Sequence, residues 1–121
     1  MGFQLKAVQA LDLWRGAIVE SVRRDGPDLS ARQMALLLTV YLTPPPHTVR
    51  GLAVTLNVSK PAITRALDRL SELGLIKRKT DDADRRSVLV QRTVKGSVYL
   101  REFGDLIVAA AAIAGDGESA A

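Results

Sequence analysis

Residues 50–96 read RGLAVTLNVSKPAITRALDRLSELGLIKRKTDDADRRSVLVQRTVKG, and the order of helix and strand signals in this stretch predicts the fold. Thr48, just before it, can cap a short helix that runs to about Leu56. After a brief turn, Ser59 can cap a second helix that runs to Leu73. The first half of the stretch therefore predicts two helices joined by a tight turn.

The second half of the stretch predicts a two-stranded hairpin. Gly74 is the expected left-handed stop of the second helix, and strand-like runs follow at residues 76–79 and 87–92. Between them, residues 80–86 read TDDADRR, which is a charged turn segment. Two helices followed by a hairpin are the order of a winged helix-turn-helix, in which the hairpin is the wing.

Further helices are predicted on both sides of this unit. Apolar residues at three- and four-residue steps predict a helix over residues 3–24. Ser30 can cap the next helix, which runs to about Leu42 and is apolar nearly all round, as a central buried helix would be. A last helix fits residues 95–114, and the final GDGESAA is expected to be a disordered tail.

The predicted class is mostly α with a small β-hairpin wing (α+β), a winged helix-turn-helix with N- and C-terminal dimerisation helices. We expect a single domain over residues 1–121. Its segments are the N-terminal helices, the winged helix-turn-helix core, the C-terminal helix and the tail, at residues 1–43, 48–94, 95–114 and 115–121. Stripes on the first and last helices are more apolar than one small core needs, which predicts pairing with a second copy. The predicted dimer contacts are Leu11, Trp14, Ile18, Tyr99, Phe103, Leu106 and Ile113.

The positive charge of the chain lies in one continuous segment. Residues 50–95 hold 11 of the 17 Lys and Arg residues and 5 of the 13 Asp and Glu residues, a net charge of +6, while the remainder nets −2. A basic segment can attract nucleic acid or anionic lipid. Charge alone leaves open the alternative of an ordinary solvated face.

No catalytic, metal-binding or redox site is predicted. The chain has no cysteine, which excludes disulfides and thiolate metal sites and is typical of a reducing cytoplasm. The one histidine, His47, follows three prolines and is interpreted as an exposed loop residue, and the acidic cluster of Asp81, Asp82 and Asp84 as a solvated turn. No apolar run reaches the ~18 to 20 residues that span a bilayer. We therefore expect no enzyme activity, cofactor, metal or membrane contact.

The second helix of the stretch has a face suited to DNA. Ile63, Leu67 and Leu70 hold its other face to the core, and Arg65 is placed to read guanine in the major groove. Hydroxyls and cations near its N-terminus can reach phosphates, and arginines at the hairpin tip can enter a narrow minor groove. The predicted DNA contacts are Thr48, Arg50, Ser59, Lys60, Pro61, Thr64, Arg65, Arg69, Asp84, Arg85 and Arg86.

Simple ion pairs are the alternative for the arginines of this set. Arg65 and Arg69 can pair with Asp68 and Glu72 on the same helix, four residues or fewer away. In the hairpin tip, Arg86 can pair with a neighbouring aspartate, Asp82 or Asp84, and the two roles can coexist.

At these residues the chain resembles the DNA-binding core of the MarR (multiple antibiotic resistance regulator) family. The matching pieces are Leu52-Ala53, Val58-Ser59-Lys60, Thr64-Arg65, Leu70, Gly74-Leu75-Ile76, Asp84-Arg85-Arg86-Ser87 and residues 93–96. Two features depart from the family. Arg92 stands where an apolar residue is usual, and 25 residues follow Gly96 where the family commonly has two C-terminal helices.

The resemblance implies a homodimer that reads a pseudo-palindrome in adjacent major grooves of double-stranded DNA. It implies dimerisation through the first and last helices, with an interface that is smaller or built differently because the C-terminal region is short. It also implies a wing arginine in the minor groove, Arg86 by position with Arg85 beside it, and Asp84 as the residue that orients a neighbouring arginine. A small anionic or phenolic effector often binds such dimers.

The predicted function is a dimeric transcription regulator, a repressor, that acts in the cytoplasm and is nucleoid-associated when bound. The alternative is a winged-helix protein–protein interaction module in a larger assembly, whose wing touches protein. Exposed cations on the second helix and the wing favour DNA, whereas an apolar face there would favour a protein partner.

Overall fold

The computed structural model describes the backbone of residues 5–120 and the side chains of residues 5–114. Within this part of the chain there are five helices and a three-stranded antiparallel sheet, which confirms the predicted fold class. The elements in chain order are α1 (Ala7–Arg23), α2 (Ala31–Leu42), β1 (His47–Thr48), α3 (Val49–Leu56), α4 (Lys60–Glu72), β2 (Ile76–Thr80), β3 (Val88–Arg92) and α5 (Val94–Ala120).

The chain forms two compact units where a single domain was predicted. Residues 29–100 make the winged-helix unit, which contains α2 to β3 and the start of α5. The terminal-helix unit combines α1 with the part of α5 from Arg101 onwards. Helix α2, grouped by sequence with the N-terminal segment 1–43, belongs to the winged-helix unit because Leu36, Leu37 and Val40 lie in its core.

Aliphatic side chains fill the core of the winged-helix unit. Ile63, Leu67 and Leu70 of α4 are fully buried, as their spacing predicted. They pack with buried residues of α2, α3, β2, β3 and the loop after α4, chief among them Leu36, Leu37, Val40, Leu52, Leu75, Ile76 and Val90. Full burial of one such side chain is worth about 1.5–3 kcal/mol, so this cluster supplies most of what holds α4 in place.

The helix starts lie where the capping residues predicted them. The Ser30 hydroxyl accepts a hydrogen bond from the Gln33 amide at 3.1 Å, and the Ser30 amide donates to the Gln33 side-chain oxygen at 2.9 Å, which completes a capping box. Thr48 and Ser59 accept in the same way at the starts of α3 and α4. Gly74 has a φ of +74°, the left-handed conformation expected just after α4.

The sheet has one strand that the sequence did not predict. Strands β2 and β3 form the expected hairpin, with Arg78 opposite Val90, and β1 pairs with the other edge of β3. In that pairing His47 lies opposite Val90 and is half-buried, so its interpretation as an exposed loop residue is wrong. Two residues after three prolines are too few to show the alternation that marks a strand.

Helix α5 is longer than predicted. It runs from Val94 to Ala120, past residue 114 where the sequence predicted its end, while Ala121 lies outside the described residues. A helix that has already started gains one hydrogen bond for each residue added, and each glycine costs only about 1 kcal/mol relative to alanine. Helix α1 starts at Ala7, and residues 3 and 4 of the helix expected over 3–24 lie outside the described part.

Close contact between two helices defines the terminal-helix unit. The ring centroids of Trp14 in α1 and Phe103 in α5 are 6.2 Å apart at an interplanar angle of 53°. A Cβ atom added at Gly16 would lie 3.2 Å from the Cβ of Ala110, so the two helices approach closely there. None of the helices described is both long enough and apolar enough to cross a membrane.

Candidate nucleic-acid interface

Three separate elements line one surface groove of the winged-helix unit. The groove has a volume of about 350 Å³ and lies between the start of α3, the first turns of α4 and the wing. Its lining residues are Thr48, Val49, Arg50, Lys60, Thr64, Asp84, Arg86, Ser87 and Val88. Six of the predicted DNA contacts thus meet in one groove, although almost forty residues of chain separate the first from the last.

The start of α4 is built to receive an anion. The Ser59 hydroxyl accepts from the Ala62 amide at 3.3 Å, and Pro61 occupies the first turn, where it has no N–H to lose. Because Lys60 and Thr64 line the groove, the positive end of the helix dipole adds to the charge of the lysine there. The arrangement suits a phosphate oxygen.

The outer face of α4 carries cations without local partners. Pro61, Arg65 and Arg69 are exposed, as predicted. Among the side chains described, neither arginine forms an ion pair, so the expected alternative of pairing with Asp68 and Glu72 is wrong. Asp68 instead pairs with Arg78 on β2, with Oδ1 and Nη2 2.8 Å apart. Both guanidinium groups of α4 are therefore available to a partner.

Aspartates build the tip of the wing. Asp81 accepts from the Ala83 amide at 2.9 Å, and Asp84 accepts from the Arg86 amide at 3.1 Å. Each carboxylate thereby closes a local turn. This explains why acidic residues occur in a basic hairpin: they shape the loop that presents Arg85 and Arg86.

Arg86 forms an ion pair that the sequence allowed, and its side chain stays exposed. Its Nε lies 3.5 Å from Oδ1 of Asp84, which is the pairing expected as the alternative. The Arg86 side chain is nevertheless 93% exposed, so the guanidinium is free to reach outward. The same carboxylate holds the backbone and guides the side chain of one arginine, in line with the orienting role that the resemblance implies.

Arg92, the departure from the family pattern, has a structural role that sequence reasoning missed. Its Nε donates to the Val40 carbonyl at 2.8 Å and its Nη2 donates to the Thr43 carbonyl at 3.0 Å. The guanidinium carbon lies 5.9 Å from the ring centroid of Tyr41. A cation at the carboxyl end of a helix satisfies carbonyls that have no partner within the helix, and here it ties β3 to α2.

A second missed group is the hydroxyl of Tyr41. It donates to the Leu75 carbonyl at 2.6 Å and accepts from the Thr93 amide at 2.8 Å. Thr93 in turn donates through Oγ1 to the Gly74 carbonyl at 2.7 Å and accepts from the Gly96 amide at 3.0 Å. This polar junction joins α2, the base of the wing and the start of α5. These contacts join residues up to 52 positions apart in the sequence, so no local sequence pattern could have predicted them.

The predicted dimer contacts separate into buried and exposed groups. Phe103 and Leu106 are buried within one chain, and Tyr99 is half-buried against the core of the winged-helix unit, so these three offer little surface to a second chain. Leu11, Trp14, Ile18 and Ile113 are exposed, as a contact surface requires. Val8 and Val22, which belong to the apolar stripe predicted on the first helix, are exposed as well, and sequence reasoning missed Val19 and Val108 on the same two helices.

Comparison with known proteins identifies relatives of this fold. A sequence model described as the MarR family matches residues 28–87. The transcriptional regulator BldR from Sulfolobus solfataricus is 29% identical, with 85% of this chain and 80% of that chain covered and a TM-score of 0.60. The transcriptional repressor CouR, bound to a 23-mer DNA duplex, is 27% identical, with 82% and 67% covered and a TM-score of 0.66. The S. aureus MepR–DNA complex is similar in fold, at 20% identity, with 82% and 78% covered and a TM-score of 0.69.

Proposed function

Because the chain belongs to the MarR family of transcription regulators, we propose that it binds double-stranded DNA as a homodimer and represses transcription. The observation that carries this proposal is the groove in which cations from α3, α4 and the wing meet beside the unpaired Arg65. CouR, a relative with a TM-score of 0.66, is a repressor bound to a DNA duplex.

In the proposed complex, α4 lies in the major groove of the DNA. A helix of this size fits that groove, and the side chains of its first two turns reach base edges. Arg65, exposed and without an ion pair, reads guanine through two hydrogen bonds, while Lys60 and Thr64 contact phosphates. Arg50 adds a further phosphate contact from α3.

The wing follows the backbone to the neighbouring minor groove. Arg86 projects from the tip and is almost fully exposed, which suits insertion between the two strands. A narrow minor groove concentrates negative potential and attracts a guanidinium group. Each protomer thus contacts one half of a pseudo-palindromic site, and the exposed apolar residues of α1 and α5 join the two protomers.

In this role the protein acts without catalysis in the cytoplasm, at the nucleoid. The alternative of a protein–protein interaction module requires an apolar face on α4 and the wing. Lys60, Arg65 and Arg86 give this face a cationic character instead. A small anionic or phenolic effector stays a prediction from the resemblance.

Selection from a pool of random-sequence duplexes, followed by binding measurements across a salt series, tests the proposal. We expect one enriched pseudo-palindrome that binds much more tightly than a scrambled duplex of the same composition. The logarithm of the binding constant should fall linearly with the logarithm of salt concentration, by about 0.9 for each phosphate contacted. A pool without enrichment, together with binding that does not depend on salt, would show that the protein is not a DNA-binding regulator.

A further inference from the structure

One ridge of α4 faces the wing. Lys60, Thr64 and Asp68 are four residues apart and therefore follow one another along the same side of the helix. The first two line the groove together with Arg86 of the wing. Asp68, one turn further along, touches the wing directly through its ion pair with Arg78, whose atoms are 2.8 Å apart.

Arg78 lies on the inner face of β2. Side chains alternate along a strand, so Arg78 shares its face with Ile76, which is 2% exposed and part of the core. Lys77 and Lys79 point to the opposite face. The Arg78 side chain is accordingly only 30% exposed, whereas that of Asp68 is 53% exposed. The pair therefore bridges the cleft between the helix and the first strand of the wing.

This ion pair joins residues that are farther apart in the sequence than those of the other ion pairs described. Of the five ion pairs among residues 5–114, four join residues two or three positions apart. Asp68 and Arg78 instead join two elements, α4 and β2. On β3, Val90 lies opposite Arg78 and is buried in the core, whereas residues 77–80 of β2 are exposed, so the ion pair adds a polar contact on the strand that apolar packing covers least.

The charge of Asp68 is otherwise hard to explain on this face. A carboxylate close to DNA phosphates is repelled, and Coulomb's law alone says that its removal should strengthen binding. Its contribution to fold stability is small, because pairs this exposed are worth little. The Asp68 carboxylate must therefore favour DNA binding through the residue that it holds in place, which is Arg78 of the wing.

We propose that Asp68 and Arg78 are positioning residues that fix the wing relative to α4, so that Arg65 and Arg86 reach neighbouring grooves of one DNA duplex at the same time. The inference rests on the proposed function and assigns neither residue a contact with DNA. Holding the wing in its bound position before DNA arrives lowers the ordering cost of binding. Without the pair, the position of the wing relative to α4 is no longer fixed before DNA binds, and Arg65 and Arg86 reach their two grooves together less often.

A double-mutant cycle tests this inference. The variants are Asp68→Asn, Arg78→Gln and the double variant, measured on the duplex that wild-type protein enriches from the random pool and on a scrambled duplex. Glu72→Gln removes a carboxylate one turn further along α4, and Lys77→Gln removes a cation from the outer face of β2, so these are matched controls. Thermal melting of each variant checks that the fold is kept.

Asp68→Asn is expected to weaken binding to the enriched duplex by roughly three- to ten-fold, the size of coupling typical of contacting residues. Glu72→Gln should leave binding equal or tighter. The double variant should bind no more weakly than Arg78→Gln alone, because the second substitution has no link left to break. The salt dependence should be unchanged in Asp68→Asn, since no phosphate contact is lost.

Two results overturn the inference while leaving the proposed function intact. One is tighter binding by Asp68→Asn, equal to that of Glu72→Gln, which makes the carboxylate a repulsive charge only. The other is independent effects of Asp68→Asn and Arg78→Gln, with a salt slope reduced by about one in the latter, which makes Arg78 a phosphate contact. If the wild-type protein enriches no duplex, the proposed function fails and this inference fails with it.

Discussion

The two units of the molecule bury apolar surface to very different extents. In the winged-helix unit, side chains such as Leu36, Ile63 and Leu70 are fully buried, and the exposed faces of α4 and the wing are charged. In the terminal-helix unit, Leu11 and Ile113 remain 69% and 71% exposed. One unit completes its core within a single chain, whereas the other keeps an apolar surface that a single chain does not cover.

This difference separates the effects of mutation. In the winged-helix unit, a change inside the core or the polar junction should act on folding, and a change on the charged face should act on DNA. In the terminal-helix unit, a change on the apolar surface should act on association.

Gly96→Ala should produce the largest loss of stability. The added Cβ would collide with the Tyr41 hydroxyl and with the Leu75 carbonyl, which is backbone and cannot turn away. We expect the free energy of unfolding to fall by about 3 kcal/mol or more, as overpacking does at its upper range. Thermal or urea unfolding measures it.

Gly104→Ala is the matched control for that substitution. It also places alanine in α5, but its Cβ would meet no heavy atom within 4 Å. Helix propensity alone should then stabilise the protein by about 0.5–1 kcal/mol. If Gly96→Ala proved as stable as Gly104→Ala, the junction around Tyr41 would not be tightly packed.

Leu11→Asp should abolish dimers. The side chain is exposed in the monomer, so the charge costs the isolated fold little, but it would be buried between two protomers. Analytical ultracentrifugation should show twice 13.1 kDa for the wild type and 13.1 kDa for the variant. Affinity for a pseudo-palindrome should fall roughly 100-fold or more, because two linked half-site contacts become one.

Val54→Asp provides the control, since Val54 is similarly exposed but lies on α3 in the winged-helix unit. It should keep the mass of the dimer. A wild-type protein that sediments as a monomer and still binds the palindrome with full affinity would contradict both the dimer and the two-half-site model.

Arg65→Ala should reduce specificity for DNA. We expect it to weaken binding to the enriched duplex by about 1–3 kcal/mol and to spare most of the affinity for scrambled DNA. Lys60→Ala should weaken binding to both duplexes alike, because a phosphate contact carries no sequence information. Fluorescence anisotropy on the two duplexes distinguishes these outcomes, and equal losses for Arg65→Ala would remove it from the base-reading surface.

Substitutions in the wing should have the smallest effect. Arg86→Ala should weaken binding by about 1 kcal/mol or less on G·C-rich flanks and by more on A·T-rich flanks, where the minor groove is narrower. Its melting temperature should barely change, because the side chain is almost fully exposed.

Asp84→Ala should also weaken binding, although it removes a negative charge, because the turn that presents Arg86 loses its hydrogen bond. The same anisotropy assay on A·T-rich flanks measures this. Tighter binding by Asp84→Ala would show that the carboxylate is a repulsive surface charge without an orienting role.

The sequence predicted the features that depend on nearby residues. Ser30, Thr48 and Ser59 each lie within three residues of the amide they cap, so a short motif was enough to place three helix starts. The burial of Ile63 and the exposure of Arg65 followed from helical periodicity. Six of the nine residues that line the groove were among the predicted DNA contacts, from helix capping, helical periodicity, the charged hairpin tip and the resemblance, and their roles toward DNA stay predictions.

The sequence did not predict features that depend on distant residues. Arg92 and Tyr41 make their contacts with residues up to 52 positions away, and Asp68 finds its partner on β2 rather than on its own helix. Strand β1 has two residues and exists because β3 offers it an edge. Such contacts arise only when the elements have been placed in space.

The Thr93 amide donates a hydrogen bond to the Tyr41 hydroxyl, so the exchange of this one amide proton reports on the whole polar junction around Tyr41. That amide can exchange with deuterated solvent only when Tyr41 moves away, which separates α2 from the base of the wing. The Ala83 amide, bonded to Asp81 in the exposed tip, needs only a local fluctuation to exchange. The ratio of the two exchange rates therefore measures the free energy that separates loosening of the wing tip from opening of the winged-helix unit.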